Sequence, residues 1–215
     1  MASSVKRILC YGDSLTAGFW AGGQKFEPYA KTLKKELESL GIIVEIDHHG
    51  FSGWTTEELL ARSDYNKLED FTGHKGPGLK KALTSQNNYD LLILMAGTND
   101  LSNKSDTFIF NNLKKLTEIA ISAKIPTLNV GIPDSAYLFR DGHARSKRDS
   151  VNKMLSNFAN SEKKLDWPPL ISYIPCPFAF TPDSKFFDFD GLHFSEKGYQ
   201  EFGKGICDVV HKLVK

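Results

Sequence analysis

The sequence predicts one α/β domain, a three-layer αβα sandwich around a five-stranded parallel sheet. Three observations predict it. Short apolar segments alternate with longer amphipathic ones along the whole chain, the pattern of a parallel sheet covered on both faces. One segment, Asp90 to Ala96, is apolar almost throughout, as a strand buried on both faces must be. Finally, 215 residues suffice for one domain that buries roughly 70–75% of its unfolded surface. Two full domains would be cramped, so residues 1–215 read as one.

The elements follow in order. Strand one is Arg7 to Tyr11. A helix starts near Pro28, a favourable first helical residue, and runs to Leu40 with Tyr29, Leu33, Leu37 and Leu40 on one face. Gly41 stops it. Strand two is Ile42 to Asp47. A helix opens at Thr55, where Thr55-Thr56-Glu57-Glu58 fits a capping box. Gly73 to Gly78 reads as a loop, and Leu79 to Gln86 as a helix. Strand three is Asp90 to Ala96. The helix Thr107 to Ala123 carries Ile109, Leu113, Leu116 and Ala120 at helical spacing. Strand four is Thr127 to Ile132, a polar helix covers roughly Ser146 to Lys163, and strand five is Leu170 to Ile174. A loop with five phenylalanines follows, and the last helix begins after Ser195. The winding is flavodoxin-like, with strand order 2-1-3-4-5.

Composition narrows the function. Hydrophobic residues make up 40% and charged residues 25%, which excludes disorder, collagen and coiled coil. Lys plus Arg is 27 against 26 acids, a net charge of +1, without the basic excess of a nucleic-acid binder. The longest apolar run, Leu91 to Ala96, is far too short to span a membrane. Cys10, Cys176 and Cys207 are too scattered for a disulfide framework or a zinc site, and Cys10 and Cys207 read as packing residues. The N-terminus has no signal-peptide core, so a cytoplasmic location is expected by default. The Asn103-Lys104-Ser105 triplet then has no glycosylation meaning.

In a parallel sheet of this kind, ligands bind outside the carboxyl ends of the strands. Strand one is followed by Gly12-Asp13-Ser14-Leu15, strand two by Ser52-Gly53-Trp54, strand three by Gly97-Thr98-Asn99-Asp100. The order 2-1-3 makes those strands neighbours and collects a serine, a glycine and an asparagine on one rim. A serine alone is inert and needs a base. His193 can be that base, with Asp190 three residues earlier placed to reach the Nδ1 proton and leave Nε2 as acceptor. Oxyanion donors are available from the Ser14 N–H, the Gly53 N–H and the Asn99 side chain. Each of these residues alone also has a plain reading: a helix cap, a local Asx turn, a turn glycine, an asparagine capping its own loop.

Taken together, the four blocks Gly12-Asp13-Ser14-Leu15, Ser52-Gly53, Gly97-Thr98-Asn99-Asp100 and Asp190-Gly191-Leu192-His193 resemble those of the SGNH (GDSL-type) hydrolases. The stretch Lys6 to Thr16 is similar to the start of the small bacterial arylesterases of that family. The resemblance implies Ser14 as nucleophile, His193 as base and Asp190 as its orienter. It also implies Ser14, Gly53 and Asn99 as the oxyanion hole, with no metal and no cofactor. The expected activity is that of a serine ester hydrolase acting on small, short-chain esters through an acyl-enzyme. A thioesterase or a carbohydrate O-deacetylase would use the same machinery, and a non-catalytic binding module on the same fold is the alternative of a different class. The expected partner is a small-molecule ester, with no nucleic acid and no membrane. A homo-oligomer is left open.

Other signals carry two readings each. Trp20 and Trp54 lie near the catalytic blocks and either line the substrate pocket or belong to the core. Asp13 is a loop-organising acceptor rather than an acid. Asp188 competes with Asp190 for His193. The phenylalanines from Phe178 to Phe189 either fold over the rim or pack under the last helix. The basic stretch Arg140 to Arg148 either approaches the site or forms a solvated surface. Asp47-His48-His49 resembles a metal-binding triplet of some phosphoesterases, but the further ligands of a two-metal site are not arrayed elsewhere. The glycines between Gly12 and Gly23 match no phosphate-binding loop.

Overall fold

A computed structural model describes residues 5–85, 88–161 and 168–215. Five strands form the main sheet: β1 (Lys6–Asp13), β2 (Val44–Phe51), β3 (Leu91–Met95), β4 (Thr127–Val130) and β5 (Ile171–Ile174). All pair in parallel, in the order β2-β1-β3-β4-β5. Two small antiparallel ribbons stand outside it, Phe19–Trp20 with Lys25–Phe26 and Leu68–Glu69 with Lys75–Gly76.

The alternation of side chains along the strands divides the core in two. Leu9 and Tyr11 of β1 and Leu92 and Leu94 of β3 face one side. There they meet Leu59 of α3 (Thr56–Ala61), Leu79 of α4 (Leu79–Leu83), Ile109, Leu113 and Leu116 of α5 (Asp106–Ser122), and Val151 and Leu155 of α7 (Gly142–Ser161). Ile8, Cys10, Leu91, Ile93 and Met95 face the other side. They meet Leu33 and Leu37 of α2 (Ala30–Ser39) and Tyr199, Phe202 and Ile206 of α8 (Glu196–Val214). Every residue of β3 is at most 1% exposed, so its unbroken apolar run is required by burial on both faces. Cys10 and Cys207 pack in the second cluster, and all three cysteines are free thiols.

Several boundaries differ from expectation, for identifiable reasons. β2 continues to Phe51 instead of ending at Asp47. His48 and His49 stay in register opposite Cys10 and Tyr11, and both are half-buried with their pKa values pulled down chiefly by burial, His49 to about 4. Neutral imidazoles sit in a strand as readily as other planar side chains. α2 begins at Ala30 because Pro28 is spent in the preceding turn, where its carbonyl accepts from the Lys31 N–H at 3.0 Å. Two short helices lie outside the periodic segments: α1 (Ser14–Ala17), which opens at Ser14, and α6 (Ala136–Arg140), capped by the Ser135 hydroxyl. Lys75–Gly76, read as loop, forms half of a ribbon. The Thr55 capping box is present, with Glu58 reciprocating. α4 ends at Leu83 with Thr84 as its cap, short of the expected Gln86, which lies outside the described residues. α7 starts four residues before Ser146, and Lys163 lies outside the described residues.

One close approach fixes the active-site edge of the sheet. The single turn α1 lies against β2, and a methyl group on Gly50 would come within 2.1 Å of the Ala17 nitrogen and 2.6 Å of the Asp13 carbonyl. Both are backbone atoms and have no rotamer to retreat into. Gly50→Ala is therefore expected to destabilise by at least the roughly 1–3 kcal/mol typical of overpacking. Gly142→Ala, where nothing lies within 4 Å, should stay within about 0.5 kcal/mol of the parent. Urea unfolding of the two variants checks this. Equal midpoints would disprove the tight seating of α1 on β2.

Candidate active site

Ser14 is the first residue of α1, immediately after β1. Asp13 caps this turn: its Oδ1 accepts the Leu15 N–H at 3.0 Å. Gly18, at φ 80°, ends it. The turn therefore presents Ser14 at the strand's carboxyl end, with its own N–H among those that a helix start leaves without an intrahelical acceptor. Asp13 is wholly buried, and burial pushes its pKa up to about 7, against the lowering effect of the Leu15 bond and nearby His193. It organises the loop, as expected from the sequence.

His193 arrives from the other end of the chain. Its Nε2 lies 2.9 Å from Ser14 Oγ and its Nδ1 lies 2.7 Å from Asp190 Oδ2. The second oxygen of Asp190 accepts the backbone N–H groups of Leu192 at 2.8 Å and His193 at 2.9 Å. Burial alone would raise this carboxyl, but the bonds from the ring and the two backbone groups outweigh it and hold the pKa below the ordinary carboxylate value. Asp190 is thus an anion at neutral pH, and it fixes the ring with Nδ1 as donor and Nε2 as the acceptor facing Ser14. Asp188 does not compete: its Oδ2 accepts the Ala21 N–H at 2.7 Å. Its backbone N–H donates to the His193 carbonyl at 2.8 Å, closing the turn that carries the histidine.

Gly53 follows β2 at φ +81°, a left-handed backbone that glycine adopts without steric cost. Asn99 sits in a 3-10 turn after β3 and donates one N–H of its amide to the Trp54 carbonyl at 2.8 Å. That bond brings the amide beside Gly53, and the amide's second N–H is available for a ligand. The turn is tied down by Asp100, whose buried carboxylate accepts from the Thr56 N–H at 2.9 Å and the Thr56 hydroxyl at 2.8 Å. Asn112 of α5 donates to the same hydroxyl at 3.2 Å. The ends of β2 and β3 are locked together by this network.

The aromatic surroundings differ from the simple reading of the sequence. Trp54 stacks on Phe51 at 4.7 Å, with the Arg62 guanidinium 4.5 Å from its ring. Trp20 lies in a ribbon under the Lys25 ammonium at 4.8 Å. Phe19 lies 4.4 Å from the His193 ring, and Phe71 lies 6.4 Å from Phe19 and next to Gly53. Nothing in the local sequence marks Phe19. Asp70-Phe71-Thr72-Gly73 does have the composition of a tight Asx-type turn. Of the loop phenylalanines, Phe178 and Phe187 pack on Phe194 under α8, while Phe189 is exposed. The basic stretch is structural in part: Lys147 donates to the Leu101 carbonyl at 2.7 Å, Arg145 to the Leu138 carbonyl at 3.1 Å, and Arg148 pairs with Asp134 at 3.5 Å. Among the described residues no group of three or more His, Cys, Asp or Glu side chains is arranged to hold a metal ion, the His48 and His49 pair included. Among the same residues no helix is long and apolar enough to cross a membrane.

Comparison with known proteins matches the chain to a family. Residues 10–201 match the model of the GDSL-like lipase/acylhydrolase family. Among curated proteins no sequence relative matches. Solved structures share the fold at low identity. A family 3 carbohydrate esterase from Clostridium thermocellum is 19% identical, with a TM-score of 0.70 over 99% of this chain and 100% of that one. A carbohydrate acetylesterase family member from Sinorhizobium meliloti is 20% identical, with a TM-score of 0.69 over 97% and 99%. The psychrotrophic esterase EstA from Pseudoalteromonas sp. is 20% identical, with a TM-score of 0.67 over 96% and 97%. With its family match running from strand β1 into the last helix, the chain belongs to the GDSL-like lipase/acylhydrolase family and is a carboxylic ester hydrolase.

Proposed function

We propose that the protein hydrolyses small, short-chain esters through an acyl-enzyme on Ser14, with the whole machinery carried by one domain, residues 1–215. The observation that carries this reading is the continuous chain from Asp190 through His193 to Ser14, at 2.7 and 2.9 Å. His193 Nε2 takes the Ser14 proton as Oγ attacks the ester carbonyl. The imidazolium so formed is stabilised by Asp190, which stays ionised. Oxyanion charge is met by the N–H groups of Ser14 and Gly53 and the free amide proton of Asn99, donors fixed before the reaction. The imidazolium then protonates the leaving alkoxide. Water, deprotonated by the same nitrogen, releases the acid and regenerates Ser14.

Short acyl groups are favoured by the compact rim. The segments between the catalytic blocks are short and carry no long amphipathic lid, which leaves little material for a deep acyl channel. Trp20 and Trp54, as side walls of the acyl pocket, are part of this proposal. Each methylene that finds apolar burial adds about 0.8 kcal/mol, so specificity rises with chain length only as far as the wall allows.

Ser14→Ala should remove nearly all ester hydrolysis while leaving the fold, and a fluorophosphonate should label Ser14 in the parent and not in the variant. A variant retaining a tenth of parental turnover would rule out Ser14 as nucleophile. Asn99→Ala is expected to lower kcat by roughly 10²–10³ with little change in KM, the usual loss for one oxyanion donor. A change confined to KM would place Asn99 in substrate binding instead.

A panel of monomeric esters from acetyl to dodecanoyl, run beside acyl-CoA and acetylated sugars, tests the substrate class. The expected kcat/KM peaks at or below about six carbons, since a compact pocket has no burial to offer the rest. A steady climb to dodecanoyl points to a lipid substrate, and a maximum on acetylated sugar or acyl-CoA replaces simple esters with that class.

A further inference from the structure

We propose that the turn from Asp70 to His74 is the specificity element of the site, with Phe71 and Phe19 forming an apolar strip that selects the alcohol part of the ester. Phe71 is 76% exposed, unusual for a large aromatic residue on a well-anchored turn. Its ring carbon would lie 3.2 Å from a Cβ placed on Gly53, so it stands against that glycine. Phe19 lies 6.4 Å from Phe71 and 4.4 Å from His193. The two phenylalanines thus run from the histidine to the glycine.

The direction of proton transfer assigns this strip. His193 Nε2 must deliver its proton to the departing oxygen, so the alcohol part lies on the histidine's side, against Phe19. From there a ring or chain on the alcohol continues onto Phe71.

The turn is rigid enough to act as a wall. Asp70 is buried and accepts four hydrogen bonds: from Ser52 N–H at 2.6 Å, Thr72 N–H at 2.9 Å, the Thr72 hydroxyl at 2.7 Å and His74 N–H at 3.0 Å. The first reaches the residue immediately before Gly53. The other three hold the turn that carries Phe71. Asp70 is therefore a positioning residue that sets the oxyanion loop and the wall relative to each other. His74 packs against Phe51 of β2, with ring centroids 6.2 Å apart, and anchors the far end.

The inference rests on the ester-hydrolase reading of Ser14, and the test separates the two. Benzyl acetate, methyl acetate and methyl phenylacetate place a ring on the alcohol, nowhere, and on the acyl group. In Phe71→Ala, kcat/KM for benzyl acetate should fall about tenfold relative to methyl acetate, the loss of one aromatic contact with its buried area. The ratio of methyl phenylacetate to methyl acetate should not change, and Phe71→Leu should recover part of the benzyl preference. Asp70→Ala should lose the same discrimination and also lower kcat on all three esters, because the Gly53 loop is released with the wall. An unchanged benzyl-to-methyl ratio in Phe71→Ala overturns the inference while the parent's hydrolysis and its dependence on Ser14 stand. A loss that follows the acyl ring overturns the assignment to the alcohol. Hydrolysis that survives Ser14→Ala overturns the underlying reading instead.

Discussion

The 2.9 Å approach of His193 Nε2 to Ser14 Oγ joins residues 179 positions apart, and much of the fold is organised to make it. One side is set by β1, buried between two neighbouring strands, which delivers Ser14 on a single capped turn. The other is set by a turn closed through Asp188 and Asp190, packed beneath by Phe187 and Phe194 and continued by α8. α8 packs along α2 and reaches Phe19 through the Tyr199 hydroxyl. The two sides are also bonded directly, since Asp188 accepts the Ala21 N–H just beyond the Ser14 turn. A shift of α8 would therefore move His193 and the Phe19 ring beside it together.

Three carboxylates on loops at the sheet's edge illustrate how donor count decides the electrostatics of a buried acid. Asp70 takes four donors and is held below the ordinary carboxylate pKa although burial opposes this. Asp13 takes one from Leu15, is wholly buried, and is raised to about 7. Asp100 takes two from Thr56 and is raised, chiefly by burial. Desolvation acts on all three, and hydrogen bonds to the charged form reverse it only where enough of them converge. All three bind backbone N–H groups, so their common work is to fix loop geometry. A bond to a charged group contributes about 1.5–3 kcal/mol, enough to hold a loop that has little apolar burial of its own.

Much of the site was legible because its chemistry is local in sequence. Gly12-Asp13-Ser14-Leu15, Gly53, Gly97-Thr98-Asn99-Asp100 and Asp190-Gly191-Leu192-His193 each sit at the end of a strand or the start of a helix. Hydrophobic periodicity marks those places, and their residue types match the chemistry. The strands were legible for the same reason, with β3 the clearest. What escaped were features without periodicity. The helices α1 and α6 are too short to show one. The ribbon pairs are two residues each. His48 and His49 read as the polar end of a strand, because a sequence does not show that burial leaves them neutral.

The sequence by itself determined the fold class, the five parallel strands, the place of Ser14 at the end of β1 and the spacing that lets Asp190 reach His193. All of these follow from residue type and short-range spacing. Only the tertiary structure decided which aromatic rings meet the site. Phe19 lies 4.4 Å from the His193 ring and Phe71 stands next to Gly53, contacts that neither residue's neighbours in the sequence announce. Trp54 stacks on Phe51 with the Arg62 guanidinium over its ring. Tertiary structure also decided between Asp188 and Asp190, and it gave Asp70 its place beside Gly53, 18 residues away from Ser52 along the chain. The physical reason is the same in each case. A contact between loops is fixed by how the elements beneath them pack, and packing depends on shape at many distant positions that no local pattern records.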